Sequence, residues 1–392
     1  MSVSPTQSSR TTTDASKRTL WITCIAHALH DGYTDLTYVM LPVWQADFGL
    51  SYATLAALRG LYVGAMASFQ LPAGRLAEQF GGRAILVLGT ILAAAGWTLA
   101  GASGELVGIY GALLISGSGA STQHPIASGA VARAYGKDAR GPLGIYNFAG
   151  DLGKAVLPSV TSLLLGFLPW RNALWGVSGI GFAVAAAIWL FMPVTGRAHQ
   201  TKNTCRASRR GGFPVLLLIG VLDSAVRMGL LTYLPFLLKE KGASLSIIGP
   251  ALALVFIGGA GGKFACGWIG ARIGVLWTVV ATEGGTALGI IAILFSPLAV
   301  CLALLPLLGI MLNGTSSVLY GTVPELTSTE RTERAFALFY TASIGSGAIA
   351  PIIYGLLGDT LGIDWATLAT AMTALAICPF AFVLAPHLAP QQ

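Results

Sequence analysis

The chain has 392 residues, 54% hydrophobic and only 10% charged, with a net charge of +7. Its mean hydropathy is +0.72, whereas a soluble domain carries about 25% charged residues. These values exclude a soluble globular domain and indicate a helical membrane protein, in which the 50 glycines let helices pack closely. The basic residues fall in short loops between apolar runs and form no nucleic-acid patch.

Taken in chain order, residues 1–18 are polar and Ser/Thr-rich, end in Lys17-Arg18 and lack an apolar core. They read as a disordered cytoplasmic tail and not a signal peptide. A helix needs about 20 apolar residues to cross a bilayer. Twelve spans meet that need: 20–45, 53–76, 84–103, 106–134, 141–166, 172–193, 213–238, 247–271, 274–296, 298–323, 335–358 and 364–385. The longest polar link, "GRAHQTKNTCRASRRGG", separates the sixth from the seventh. With the N-terminus inside, sixteen Lys and Arg residues fall in inner segments, against Arg171, Lys239 and Lys241 outside. By the positive-inside rule both termini are cytoplasmic.

The halves repeat at one offset. Leu41-Pro42, Gly74, Gly81 and Pro158 recur as Leu234-Pro235, Gly267, Gly274 and Pro351, each 193 residues on. The expected fold is therefore all-α: a six-helix bundle over 19–193, a cytoplasmic linker over 194–212, a second bundle over 213–386 and a tail over 387–392. Transporters built from two such repeats bind substrate near the midplane and rock one half against the other.

The loop after the second span, "GRLAEQFGGR" from Gly74 to Arg83, resembles the signature loop of the major facilitator superfamily. Gly74, Leu76, Ala77, Gly81 and Arg83 fit that pattern, and Glu78 stands where Asp is usual. The resemblance implies a conformational gate formed by Gly74, Glu78, Gly81 and Arg83, which stabilises the outward-facing state against span eleven. A finer resemblance, to the fosmidomycin-resistance-like branch, rests on four stretches. They are His27-x-x-His30-Asp31, Leu41-Pro42, Phe48-Gly49-Leu50-Ser51 and Gln123-His124-Pro125. That branch resembles drug exporters driven by inward proton flow. Two departures stand out: span five reads "AGDLGKAVLP" instead of ending Gly-Pro, and span four has no Arg before its glycines.

Ionisable residues within a span are costly unless paired or hydrated, so they mark function by default. In span one His27, Asp31, Thr34, Asp35 and Tyr38 share a helix face, with His30 at its edge. Two carboxylates four residues apart in a low dielectric make a proton site, and imidazole passes protons near neutrality. Asp31, Asp35, His27 and His30 are the expected proton-coupling residues; the competing reading is a structural His–Asp pair. Candidate substrate contacts are Arg227 with Asp223 in span seven and Asn147, Asp151 and Lys154 in span five. Gln123 and His124 beside Pro125, Tyr38, Asn313, Tyr320 and Arg59 complete the set. Each has a structural alternative: a permanent Asp151–Lys154 or Asp223–Arg227 pair, a capped carbonyl at His124, snorkelling at Arg59. Ser317 is the repeat equivalent of His124. Glu283 shows no repeat partner and is expected to be buried against a neighbour. Trp21, Trp44, Trp97, Trp170, Trp175 and Trp365 read as an interfacial belt.

The sequence holds no phosphate loop, nucleophile elbow or His/Cys metal cluster, so an enzyme, a cofactor and a metal are not expected. The expectation is a monomeric multi-pass transporter of the bacterial cytoplasmic membrane. It couples protons to a small anionic or zwitterionic organic molecule or polar drug, outward by antiport. A symporter or uniporter for a carboxylate and a non-transporting membrane sensor are the alternatives.

Overall fold

The computed structural model describes residues 6–193, 212–327 and 332–388. Residues 1–5 and nearly all of the expected linker at 194–212 lie outside that set. Among the described residues the secondary structure is helical: α1 Thr6–Phe48, α2 Tyr52–Phe80, α3 Gly82–Ala102, α4 Leu106–Ala120, α5 Gln123–Tyr135 and α6 Arg140–Leu164. Then come α7 Trp170–Phe191, α8 Phe213–Glu240, α9 Leu245–Phe295, α10 Leu298–Leu326, α11 Thr332–Leu361 and α12 Ile363–Leu384.

These helices follow the twelve expected spans, with two differences of detail. Span four is divided into α4 and α5 at Ser121-Thr122. Pro125 has no N–H to give the Ser121 carbonyl, so the helical ladder lapses there. Spans eight and nine run together as α9, interrupted by Gly274 at φ 84°. Its repeat equivalent Gly81, at φ 91°, parts α2 from α3. Gly49 at φ 63° and Gly242 at φ 90° also stand 193 residues apart and end α1 and α8. Left-handed backbone of this kind suits glycine, and it stops a helix at the same place in each half.

The first helix begins at Thr6, inside the segment expected as a loose tail. Thr19 Oγ1 donates to the Ala15 carbonyl at 2.9 Å, and Ser16 Oγ to the Ala134 carbonyl at 2.9 Å. Those bonds continue the helix below the apolar run and tie it to α5.

Two compact units emerge, one of Met1–Thr37 with Leu61–Gln200, the other of Tyr38–Gly60 with Thr201–Gln392. The end of α1 and start of α2 thus pack within the second unit, not with the six-helix block of 19–193. Within that unit the Asp359 carboxylate of α11 accepts the Tyr52 and Ala53 amides at 2.6 and 3.1 Å. This caps the N-terminus of α2. Gly60 abuts the Ala348 carbonyl, where a Cβ would stand 3.0 Å away.

Eight stretches are long and apolar enough to cross a membrane among the described residues. They lie in α3, α7, α8, both halves of α9, α10, α11 and α12. The remaining spans, in α1, α2, α4–α5 and α6, are the more polar ones. Trp21, Trp175 and Trp365 are exposed, as an interfacial belt requires, but Trp44 and Trp97 are fully buried. Trp97 packs among Tyr33 and Tyr62, with ring centroids 6.0 and 6.5 Å away, and belongs to the core.

Candidate functional site

The polar residues of the first unit converge where α1 crosses α6. The crossing is unusually close because glycines face each other. A Cβ on Gly153 would strike the Ala28 backbone, and one on Gly32 would lie 2.7 Å from Leu157 Cβ. Backbones in contact bring short and long polar side chains of both helices together. Lys154 Nζ lies 3.1 Å from Asp31 Oδ2 and 3.5 Å from Asp151 Oδ1. Asp35, also buried, lies within electrostatic reach of the same ammonium. One cation thus serves several carboxylates, which neutralises charge that the membrane interior would otherwise penalise.

His27 joins this group from one turn below Asp31. Its Nδ1 lies 2.8 Å from the Tyr146 carbonyl, and its ring stacks on Tyr146 with centroids 4.0 Å apart. Its Nε2 faces Asp31 Oδ2 at 3.4 Å. Room for the pair comes from Gly150, where a Cβ would sit 2.7 Å from Asp31 Oδ2 and 2.8 Å from His27 Nε2. His124 arrives from the first turn of α5, its Nε2 3.9 Å from Asp31 Oδ1. Beside it Gln123 is fully buried and reaches the Tyr146 hydroxyl at 3.4 Å. The donor atoms of His27, Asp31 and His124 all lie within 4.8 Å of one another. No local spacing in the sequence reveals this convergence of two helices, and it qualifies the expectation of no metal-type cluster.

Not every expected residue joins. His30 points away from the group to Thr90 Oγ1 at 3.1 Å on α3. Asn147 is exposed; on α6 the face that matters carries Tyr146, Gly150 and Lys154. Tyr38 and Arg59 belong to the second unit. The Arg59 guanidinium lies 4.4 Å over the Tyr38 ring and 3.2 Å from Met228 Sδ. Arg59 is 3% exposed, so it does not snorkel to an interface. In the signature loop Glu78 is exposed and Gly81 has the turn conformation described above. Gly74 stands in open space, and Arg83 donates to the Met192 carbonyl at 3.3 Å while lying over Trp189.

The second unit has a smaller polar group. Arg227 lies 3.5 Å from Asp223. Glu283, buried, hydrogen-bonds both Asp223 and Thr315. Glu283 does have a repeat partner after all: Thr90, 193 residues earlier, meets His30 just as Glu283 meets Asp223, the equivalent of His30. Tyr320 stacks on Tyr340 with centroids 4.7 Å apart. Asn313 spends its amide on its own helix, donating to the Gly309 carbonyl at 3.2 Å. The side chain of Ser317 lies outside the described residues. Sequence reasoning missed Tyr146 and read Gly150 only as a glycine of the span-five motif; the signal was the recurrence of Tyr146, Gly150 and Lys154 every four residues on one face of α6.

Comparison with known proteins places this architecture. Its fold matches a bacterial homolog of the human lysosomal transporter Spinster, in an inward-facing, unoccupied conformation. That match has TM-score 0.81 and 15% identity over 95% of this chain and 98% of the other. A variant of the nucleoside transporter NupG matches with TM-score 0.78 and 12% identity over 94% and 99% of the two chains. No curated protein matches the sequence. The family model described as Major Facilitator Superfamily covers residues 23–212 and 216–392. By its family match and its fold, the chain belongs to the major facilitator superfamily of membrane transporters.

Proposed function

We propose that the protein is a proton-coupled secondary active transporter of the bacterial cytoplasmic membrane. It moves a small organic anion or polar drug by alternating access, outward in exchange for protons. The observation that carries this reading is Lys154 held between Asp31 and Asp151 at the α1–α6 crossing. Asp31 and Asp35 are the carboxylates that trade this cation for a proton. A proton on Asp31 removes the partner of Lys154, and the released ammonium turns to Asp151 or to a substrate anion. Substrate and proton then compete through one charge balance, which is what coupled exchange requires. His27 and His124, both against Asp31, are the relays. His30, bound to Thr90, positions α1 on α3 and leaves the relay. Arg227 is the anion contact of the second unit, and the loop from Gly74 to Arg83 is the gate. The chain works as a monomer.

The test uses purified protein in liposomes loaded with a pH-sensitive dye. Fosmidomycin and a panel of small organic anions are added to wild type and to Asp31→Asn. A substrate-triggered proton signal, absent from the variant, is the expected result. Labelled anion crossing both proteins with no proton signal identifies a uniporter and ends the coupling assignment.

A further inference from the structure

The contact between His27 and Asp31 sets two electron pairs against each other whenever the ring is uncharged. A carbonyl oxygen only accepts hydrogen bonds, so His27 Nδ1, 2.8 Å from the Tyr146 carbonyl, carries the ring hydrogen. In the uncharged ring Nε2 then holds a lone pair. That lone pair faces a carboxylate oxygen at 3.4 Å, and Nε2 has no hydrogen-bond partner while His27 is only 4% exposed. A cation between them relieves the clash: a proton, which makes His27 an imidazolium paired with Asp31, or a metal ion that both groups ligate.

We propose that His27, Asp31 and His124 form a binding site for a divalent transition-metal ion of the borderline class, such as zinc or cobalt. The first argument is the donor set. Two imidazole nitrogens and one carboxylate suit zinc, cobalt, nickel or copper and disfavour magnesium and calcium. The second is spacing. His27 and Asp31 stand four apart on one helix face, the pitch at which helical residues share an ion. The 3.4 Å from Asp31 Oδ2 to His27 Nε2 is the edge of a tetrahedral site with ligands about 2 Å from its centre, and His124 Nε2, 3.9 Å from Asp31 Oδ1, moves inward by a side-chain rotation to complete it. The third is support from behind. A metal-binding histidine nearly always donates its other nitrogen to a carbonyl or carboxylate, as His27 does. Stacking on Tyr146 and the bare Cα of Gly150 fix the ring in that orientation. The fourth is access: the His124 side chain is 45% exposed, against 5% for His27 and 10% for Asp31. An ion meets His124 first and then a dry floor.

Lys154 already lies on Asp31, and it makes the site selective. An incoming ion must displace the ammonium, which has Asp151 3.5 Å away to receive it. Monovalent and hard divalent ions gain nothing from the two imidazoles and cannot do so. A metal bound here confines Lys154 to Asp151.

Binding is read without any transport. Tag-free full-length protein in detergent is titrated with Co(II), whose visible d–d bands report nitrogen and oxygen ligation, and with Zn(II) against a chromophoric chelator. One ion per chain is expected. His124→Ala and His27→Gln each weaken it at least about tenfold. His387→Gln, at the far C-terminal end, leaves it unchanged. Lys154→Gln tightens it, a gain that misfolding does not imitate; should that variant not fold, the half-exposed His124 still decides. Co(II) spectra and affinity identical in wild type, His124→Ala and His27→Gln overturn the proposal, as does the absence of ligand-field bands. Because no substrate or proton flux enters the measurement, failure of the coupling assignment leaves this one standing, and the reverse.

Discussion

The same helix crossing occurs twice in this molecule and is filled in opposite ways. In the first unit α1 crosses α6; in the second α8 crosses α11, each residue 193 positions on. Where the first has His27 stacked on Tyr146, the second has Gly220 under the Phe339 ring. Where the first sets Asp31 beside Gly150, the second has Ser224 donating to the Ser343 carbonyl at 2.6 Å. Gly153 presses on Ala28, and its equivalent Ser346 donates to the Val221 carbonyl at 2.7 Å. Lys154 becomes Gly347. Duplicated backbone with neutral hydrogen bonds on one side and a three-helix charge cluster on the other shows that the charges are not needed to hold such a crossing. They cost stability that serine and glycine do not, which supports the role proposed for the first unit.

The largest effect comes from breaking the charge cluster. Lys154→Met leaves Asp31 without its closest cation in a dry place, which destabilises buried pairs by about 3 kcal/mol at the lower end of the usual range. The lower end applies because the Lys154 side chain is 29% exposed. Adding Asp31→Asn to that variant restores most of the loss, since contacting residues do not add. Thermal unfolding of detergent-solubilised single and double variants measures both. Equal losses that sum in the double variant would show that the two groups do not form a unit.

Next comes the crossing itself. Gly153→Ser places in the first unit what the second already carries at Ser346. Its Cβ meets the Ala28 backbone, which cannot yield, and overpacking of this kind costs about 2 kcal/mol. The mirror change, Ser346→Ala, removes one hydrogen bond and costs about 1 kcal/mol. A smaller loss for Gly153→Ser than for Ser346→Ala, read by the same unfolding midpoints, breaks the claim that the first crossing is the tighter one.

Much of this was open to reading before any coordinates. Length and hydropathy place the spans, and the offset of 193 residues predicts turns that the left-handed Gly81 and Gly274 bear out. The stripe from His27 to Asp31 follows from helical pitch alone. Pitch places residues on one helix, however, and says nothing of which neighbour meets them. His124 reaches Asp31 because Pro125 interrupts the ladder and starts a new helix beside α1. His30 stands next to Asp31 in sequence, yet its side chain leaves toward α3. Glu283 looked unmatched because its repeat equivalent is a threonine; the shared property is position, not chemistry. Trp44 and Trp97 sit where a belt is expected by sequence distance, yet they fill the core.

The smallest effects sharpen the comparison at the second conserved contact, His30 with Thr90 and Asp223 with Glu283. Thr90 Oγ1 gives its hydrogen to the Leu86 carbonyl at 2.8 Å, so at 3.1 Å it accepts from His30 Nε2–H. Thr90→Val therefore strands a buried donor and costs about 1 kcal/mol. In the second unit two carboxyl groups hydrogen-bond each other, which requires one hydrogen between them. Glu283→Gln supplies that hydrogen permanently from an amide of nearly the same shape, so the bond to Asp223 persists and stability changes by less than about 0.5 kcal/mol. The two substitutions swap the naive expectation, because deleting a hydroxyl costs more than deleting an ionisable group. Unfolding midpoints for both variants at one pH decide it. A Glu283→Gln loss exceeding that of Thr90→Val would mean that Glu283 serves as a full negative charge, bound to Arg227 and not to Asp223.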